Sequence, residues 1–142
     1  MTYKKILNRV TVAFIALLVF LIIFSNTLAT LSAKRVVLEF ASRGIITTVD
    51  ADGTAHTTNH PNVIPLSALH RDGNGHFILY AESVPKRFGS SYHARILRVD
   101  VGRRNDTHAA VTPIMGQDMP AYGIITASNE PVFSGERVRI VE

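Results

Sequence analysis

The chain has no cysteine, which excludes a disulfide framework, a thiolate metal site and a lipid-modified cysteine anchor. That absence fits an exported protein that needs no redox partner. Internal repeats and low-complexity tracts are lacking too. Charge is missing altogether from residues 10–24 (VTVAFIALLVFLIIF), where Thr11 is the one polar side chain. A net charge of +4 could suggest nucleic acid, but three of the fifteen cations (Lys4, Lys5 and Arg9) precede that run. Twelve then remain from Lys34 onward against eleven acidic residues. The remainder is nearly neutral, its basic residues alternate with apolar ones, and it has no like-charge block and no aromatic stacking surface. A nucleic-acid partner is therefore not expected.

The apolar run reads as a membrane segment, because a single span requires a helix that satisfies its own backbone hydrogen bonds over hydrocarbon. A cleaved signal peptide, an uncleaved anchor and one helix of a larger bundle compete for it. The short basic start suits the first two, but residues 27–29 make a poor cleavage site, so the anchor leads. The expected organisation is a cytoplasmic tail over 1–9, a transmembrane anchor helix over 10–31, and an extracytoplasmic domain over 32–142. The anchor would present Val10, Phe14, Leu17, Leu18, Leu21 and Phe24 to membrane lipid. Arg9 abuts the run whereas Lys34 lies well beyond Phe24, which favours the N-terminus inside the cell membrane.

About 110 residues follow, enough for one modest core. Residues 36–40 and 45–49 are rich in β-branched side chains and bracket Arg43-Gly44, so they read as two strands around a turn. Residues 50–62 are polar without apolar periodicity and read as the only long loop. Residues 63–69 and 76–81 flank Asp72-Gly73-Asn74-Gly75, the strongest hairpin signal in the chain. The longest strand is expected over 92–101. Its apolar phase slips at Ile96-Leu97, which requires a bulge there or burial of both faces. Shorter strands are expected near 109–111, 124–127 and 137–141, the last with Val138 and Ile140 on one side and Arg137 and Arg139 on the other. No helical periodicity follows Leu31. The fold class is thus mainly β: one transmembrane helix, then a small antiparallel barrel, roll or sandwich.

Chemistry is sparse. His56 and His60 have a spacing that converges only on a helix, and they lie in the expected loop with no carboxylate close by as third ligand. Asp50-Ala51-Asp52-Gly53 begins like a calcium loop, but its glycine falls too early and Pro61 stands where the closing glutamate belongs. Gly89-Ser90-Ser91 lacks the strand-turn-helix setting of a nucleophile elbow. Asn105-Asp106-Thr107 matches a glycosylation acceptor and reads as a β-turn. No catalytic residue, cofactor or metal site is expected, and the chain is not read as an enzyme.

Several segments resemble a known family in their order along the chain. Residues 63–69 (VIPLSAL, including Pro65, Leu66, Ser67, Ala68 and Leu69), the 72–75 turn, residues 76–82, Tyr92-His93-Ala94-Arg95 through Val99-Asp100-Val101, and Asn105-Asp106-Thr107 are similar to the C-terminal part of periplasmic adaptor subunits. These are the membrane fusion proteins of the hemolysin-secretion type that serve efflux pumps. The close GERVRIVE, with Gly135 and Val138, resembles the end of such chains in Gram-positive bacteria, and RVVLE over 35–39 resembles the family's first membrane-proximal strand. The resemblance implies an accessory subunit docking on an ABC-type or proton-driven exporter, with homo-oligomers possible in principle. The family's lipoyl-like domain, α-helical hairpin and barrel have no counterpart between Val49 and Val63, so the two ends are expected to close into one membrane-proximal domain. A tethered binding or scaffold module, or an inactive shortened adaptor, are the other readings.

Overall fold

The computed structural model describes residues 2–87, 89–114, 116–121 and 123–141, without the side chains of 2–8, 26, 29 and 30. Lys4, Lys5 and the terminal Glu142 of the family-like close therefore lie outside the described side chains. The chain forms two units, 1–33 and 34–142.

The first unit is a helix, α1 (Thr2–Leu31). Val10, Phe14, Leu17, Leu18, Leu21 and Phe24 are all exposed, and Phe20 stacks on Phe24 one turn later, 5.7 Å between ring centroids. The expectation of a transmembrane anchor is corrected here: among the described residues no helix is long and apolar enough to cross a membrane. Length is the physical reason. At about 1.5 Å per residue, the uncharged run of 10–24 extends roughly 22 Å, against about 30 Å of hydrocarbon. Polar residues follow at once, and Thr27 turns its hydroxyl back onto the Ile23 carbonyl at 3.0 Å. The single-pass cell-membrane location, with the N-terminus inside and the rest outside, falls with the anchor.

The second unit is mainly β. Its strands are β1 (Lys34–Glu39), β2 (Ser42–Val49), β3 (Ala55–Pro65), β4 (Leu69–Asp72), β5 (Gly75–Pro85), β6 (Ser90–Arg104), β7 (His108–Pro113), β8 (Ile124–Ser128) and β9 (Arg137–Ile140). A single 3-10 turn, Leu66–Ala68, links β3 to β4. Five strands close into a barrel in the order β6-β9-β1-β8-β5 and back to β6. All pairs in the ring are antiparallel except β1 with β9. Strand β1, from the start of this unit, lies between β8 and β9 from its end.

The interior of this barrel takes one inward residue or more from every strand: Val36, Leu79, Ala81, Ala94, Ile125 and Val138. A second core lies on the opposite face of the β5–β6 hairpin. There Ile78, Leu97 and Val99 meet Ile64, Ala68, Ala109, Val111 and Ile124. This explains the phase slip in β6. The β5–β6 register runs unbroken from His76↔Val99 to Pro85↔Ser90, so no bulge intervenes against β5. Ala94 serves one core and Leu97 the other. Because both faces are used, strict alternation fails.

Two local expectations are corrected. Residues 50–62 are not a long loop: a short turn, closed by Asp50 N–H to the Thr54 carbonyl at 3.0 Å, leads into β3, which pairs with β2 from Val49↔Ala55 to Ser42↔Val63. His56 to Pro61 are polar and mostly exposed, so the ladder rather than burial holds them. Nor do β1 and β2 form a hairpin around Gly44. That glycine lies inside β2 at a register shift, where a Cβ would come within 3.3 Å of Val63.

Candidate functional site

The weakest joint of the barrel also opens into a concavity. Among the described residues, strands β5 and β8 share only the pair Tyr80↔Ile124, supported by Ala81 N–H to the Gly123 carbonyl at 3.1 Å. Beyond it β8 keeps β1 but leaves β5. Its register jumps from Leu38↔Ile125 to Val37↔Ala127, so Thr126 is an extra residue, and its hydroxyl reaches the Val37 carbonyl at 3.4 Å. Such bulges bend a strand away from its neighbour and are common at barrel rims. The parting opens a groove of about 320 Å³ whose lining includes His70, Phe77, Leu79, Ile125, Val132 and Phe133. Leu79 and Ile125 belong to the barrel core, so the groove is the core's own opening at the seam.

Its rim is built from cross-strand registry. His70, Phe77 and Arg98 stand opposite one another on β4, β5 and β6. The His70 ring stacks on Phe77 at 5.3 Å between centroids, and the Arg98 guanidinium lies 5.3 Å from the same ring. Arg98 is held by a forked pair of hydrogen bonds to the Asp72 carboxylate at 2.6 and 2.7 Å. Asp72 also accepts the Asn74 N–H at 2.8 Å, which shapes the hairpin turn, and Gly75 takes the positive φ of 113° that closes it.

Across the groove, Lys34 sits 5.4 Å from the centre of the Phe133 ring. Its ammonium donates to both Glu136 oxygens, at 2.7 and 3.0 Å, and to the Pro131 carbonyl. Glu136 in turn accepts the Phe133 N–H at 2.8 Å. The Lys34 hydrogen bond, then the Phe133 amide, hold the Glu136 carboxyl below its ordinary range. Both rim cations are therefore paired, and the groove offers apolar and aromatic surface rather than free charge.

No family model, curated protein or solved structure matches the chain. The site is therefore read from its own residues.

The rim carries a pH dependence. The Arg98 hydrogen bonds, then the Asn74 amide, lower the Asp72 carboxyl from about 3.8 to about 2. A depressed carboxyl contributes stability that is complete above its unfolded value and is lost as pH falls through the folded one. Acid unfolding should thus show a component between about pH 4 and pH 2. Asp72→Asn should remove that component from a denaturation midpoint measured against pH, while leaving the profile above pH 5 parallel to that of the wild type.

The residues singled out by resemblance gather elsewhere, for structural reasons. Pro65 pairs with His108, and the Leu66 N–H donates to the Thr107 carbonyl at 2.9 Å, which brings residues 65–69 against Asn105-Asp106-Thr107. Asn105 Oδ1 accepts the N–H groups of Thr107 at 3.0 Å and His108 at 2.8 Å, the turn expected there. Ala68 is buried in the second core, Leu69 pairs with Ile78, and Ser67 alone of this set reaches the groove. Gly135, at a positive φ of 90°, donates to the Ala94 carbonyl at 2.8 Å, and Val138 fills the barrel. Sequence reasoning missed Phe77, Val132 and Phe133. An aromatic two residues after Pro131 was the one local signal.

The remaining polar candidates do not assemble chemistry. His56 Nε2 lies 3.1 Å from Asp50 Oδ2, His60 is further along the same strand, and no three potential ligands cluster among the described residues. Ser91 Oγ is 3.2 Å from His93 Nε2, and His93 Nδ1 is 3.2 Å from the Gly135 carbonyl, a dyad with an orienting group. Yet Ser91 is only 2 % exposed. Its hydroxyl could meet a substrate carbonyl only if the strand opened, so the trio ties β6 to the 133–136 turn.

Proposed function

We propose that the β-domain is a docking module of the adaptor kind, an accessory subunit that binds an ABC-type or proton-driven exporter through the groove at the barrel seam. The observation that carries this reading is the closure of one barrel from β1 at the start of the unit and β8 and β9 at its end. That closure is what the family resemblance requires of an adaptor without its central domains. The groove adds a means of contact: an apolar floor continuous with the core, an exposed aromatic at Phe133, and charges already neutralised within the rim. Docking of an apolar or aromatic segment there costs little polar desolvation.

The test is site-specific photo-cross-linking in cells that express the full chain. A benzophenone side chain at Phe133 should capture an exporter subunit, and one at the exposed turn residue Asp106 should not. Capture of a non-transport protein from position 133 would select the scaffold reading instead. Equal capture from both positions would remove the groove from the interface.

A further inference from the structure

The sheet has two edges, and they are built differently. Strand β4 is four residues long and carries His70, Arg71 and Asp72, with Asp72 tied to Arg98. Short length and charge are the usual protections of an edge. Strand β2 is eight residues long and is laddered only to β3 among the described residues. From Gly44 to Val49 it has no charge and no proline, and its sequence Ile45-Ile46-Thr47-Thr48-Val49 is β-branched throughout. One face is used internally: Ile46 is buried against Val63 and Ala110, and Thr48 accepts a hydrogen bond from Arg103 at 3.0 Å. The other face is open, with Ile45 at 65 % and Val49 at 68 % exposure flanking Thr47.

We infer that β2 pairs antiparallel with β2 of a second copy of this chain, about a two-fold axis through Thr47. The strand itself identifies the occupant, because it is complementary to itself in one register. A two-fold axis normal to the sheet keeps each residue on its own face, so odd positions meet odd positions and even meet even. Centred on Thr47, the pairing sets Ile45 against Val49 of the second copy, twice, and joins the four exposed apolar side chains of the two strands. Ile46 then meets Thr48, and Gly44 leaves room for Asp50. Centred on Ile46, Arg43 would meet Val49 and Ile45 would meet threonine. Centred on Thr48, Ile46 would face the Asp50 carboxylate. Only the Thr47 register sets both exposed apolar side chains, Ile45 and Val49, against apolar partners within the strand, the condition under which cross-strand pairs stabilise a sheet. The pairing also satisfies the free backbone groups of the edge.

The absence of native cysteine makes a clean probe. In the full chain, Thr47→Cys places two thiols across the axis at a Cα separation of roughly 4.5–5.5 Å, inside the range a disulfide spans. Thr57→Cys sits on β3, directly paired with Thr47. Its counterpart would be about three strand spacings away, roughly 14 Å, too far to bridge. Under mild oxidation the Thr47→Cys chain should form a covalent dimer at least tenfold faster than Thr57→Cys. Adding Ile45→Lys, a change at an exposed position, should slow it at least tenfold with the far-ultraviolet circular dichroism unchanged. Equal rates for the two cysteine variants would overturn the inference. So would a dimer indifferent to Ile45→Lys, which would place association elsewhere in the chain, or a Thr47→Cys chain that captures only a different protein.

Discussion

Replacing Ile78 by alanine is expected to cost about 2–5 kcal/mol of folding free energy. Ile78 is fully buried. It lies opposite Leu97 on one side and Leu69 on the other, within the core that also holds Ile64, Val99, Val111 and Ile124. That core joins the barrel to the outer strands β3 and β7, so a cavity there loosens both at once. A domain of this size has a total stability of about 5–15 kcal/mol, and the variant should lose a large share of it. The denaturant midpoint should fall with little change in slope. Ile45→Ala is the matched control, because the same truncation at an exposed edge position should stay within about 0.5 kcal/mol of wild type in the monomer. Comparable losses at the two positions would mean that the second core is not packed as described.

What the sequence made legible follows from what is local. The 72–75 turn was readable because Asp-Gly-Asn-Gly supplies both the side-chain acceptor and the positive φ that a tight hairpin needs. Strand β9 was readable because Val138 and Arg139 alternate between barrel and solvent. The first half of β3 was not, since His56 to Pro61 have no apolar phase and are ordered by pairing with β2 alone. Glycine misled in the same region. Gly44 has the composition of a turn, but it serves instead to let β2 approach Val63. The anchor failed on length, which hydropathy over a window does not weigh against the polar residues that follow Phe24.

The groove was hidden for a different reason. Its residues come from the 3-10 turn, β4, β5, β8 and the segment around Phe133, positions up to 66 residues apart, and only closure of the barrel brings them together. The motif residues singled out at 65–69 and 105–107 meet each other and leave the seam aside, except for Ser67, whereas the wider resemblance over 76–82 runs through Phe77 and Leu79 of the groove. Those motifs specify how the outer strands join. The seam specifies where the surface is concave. Motif and site therefore overlap only in part.

Gly123→Ala should open that seam. A Cβ at this position would lie 2.6 Å from Leu38 Cβ and 3.0 Å from Leu38 Cδ1. The nearer of the two is fixed to the β1 backbone, so a change of side-chain rotamer cannot relieve the clash, and β1 or β8 must move. The displacement falls at the barrel's narrowest joint: Gly123 accepts the Ala81 N–H, and the next residue, Ile124, makes the one pair with β5 among the described residues. Overpacking of this kind costs roughly 1–3 kcal/mol, and here the strain is concentrated where one ladder pair closes the ring. Hydrogen exchange should report it locally, with the Ala81 amide losing far more protection than the amides of β7, which lie on the far side of the second core. Leu38→Gly removes the obstructing Cβ, so the double variant should be less destabilised than the sum of the two single changes. Additive losses, or uniform loss of protection across the domain, would mean that the β5–β8 joint does not hold the barrel closed.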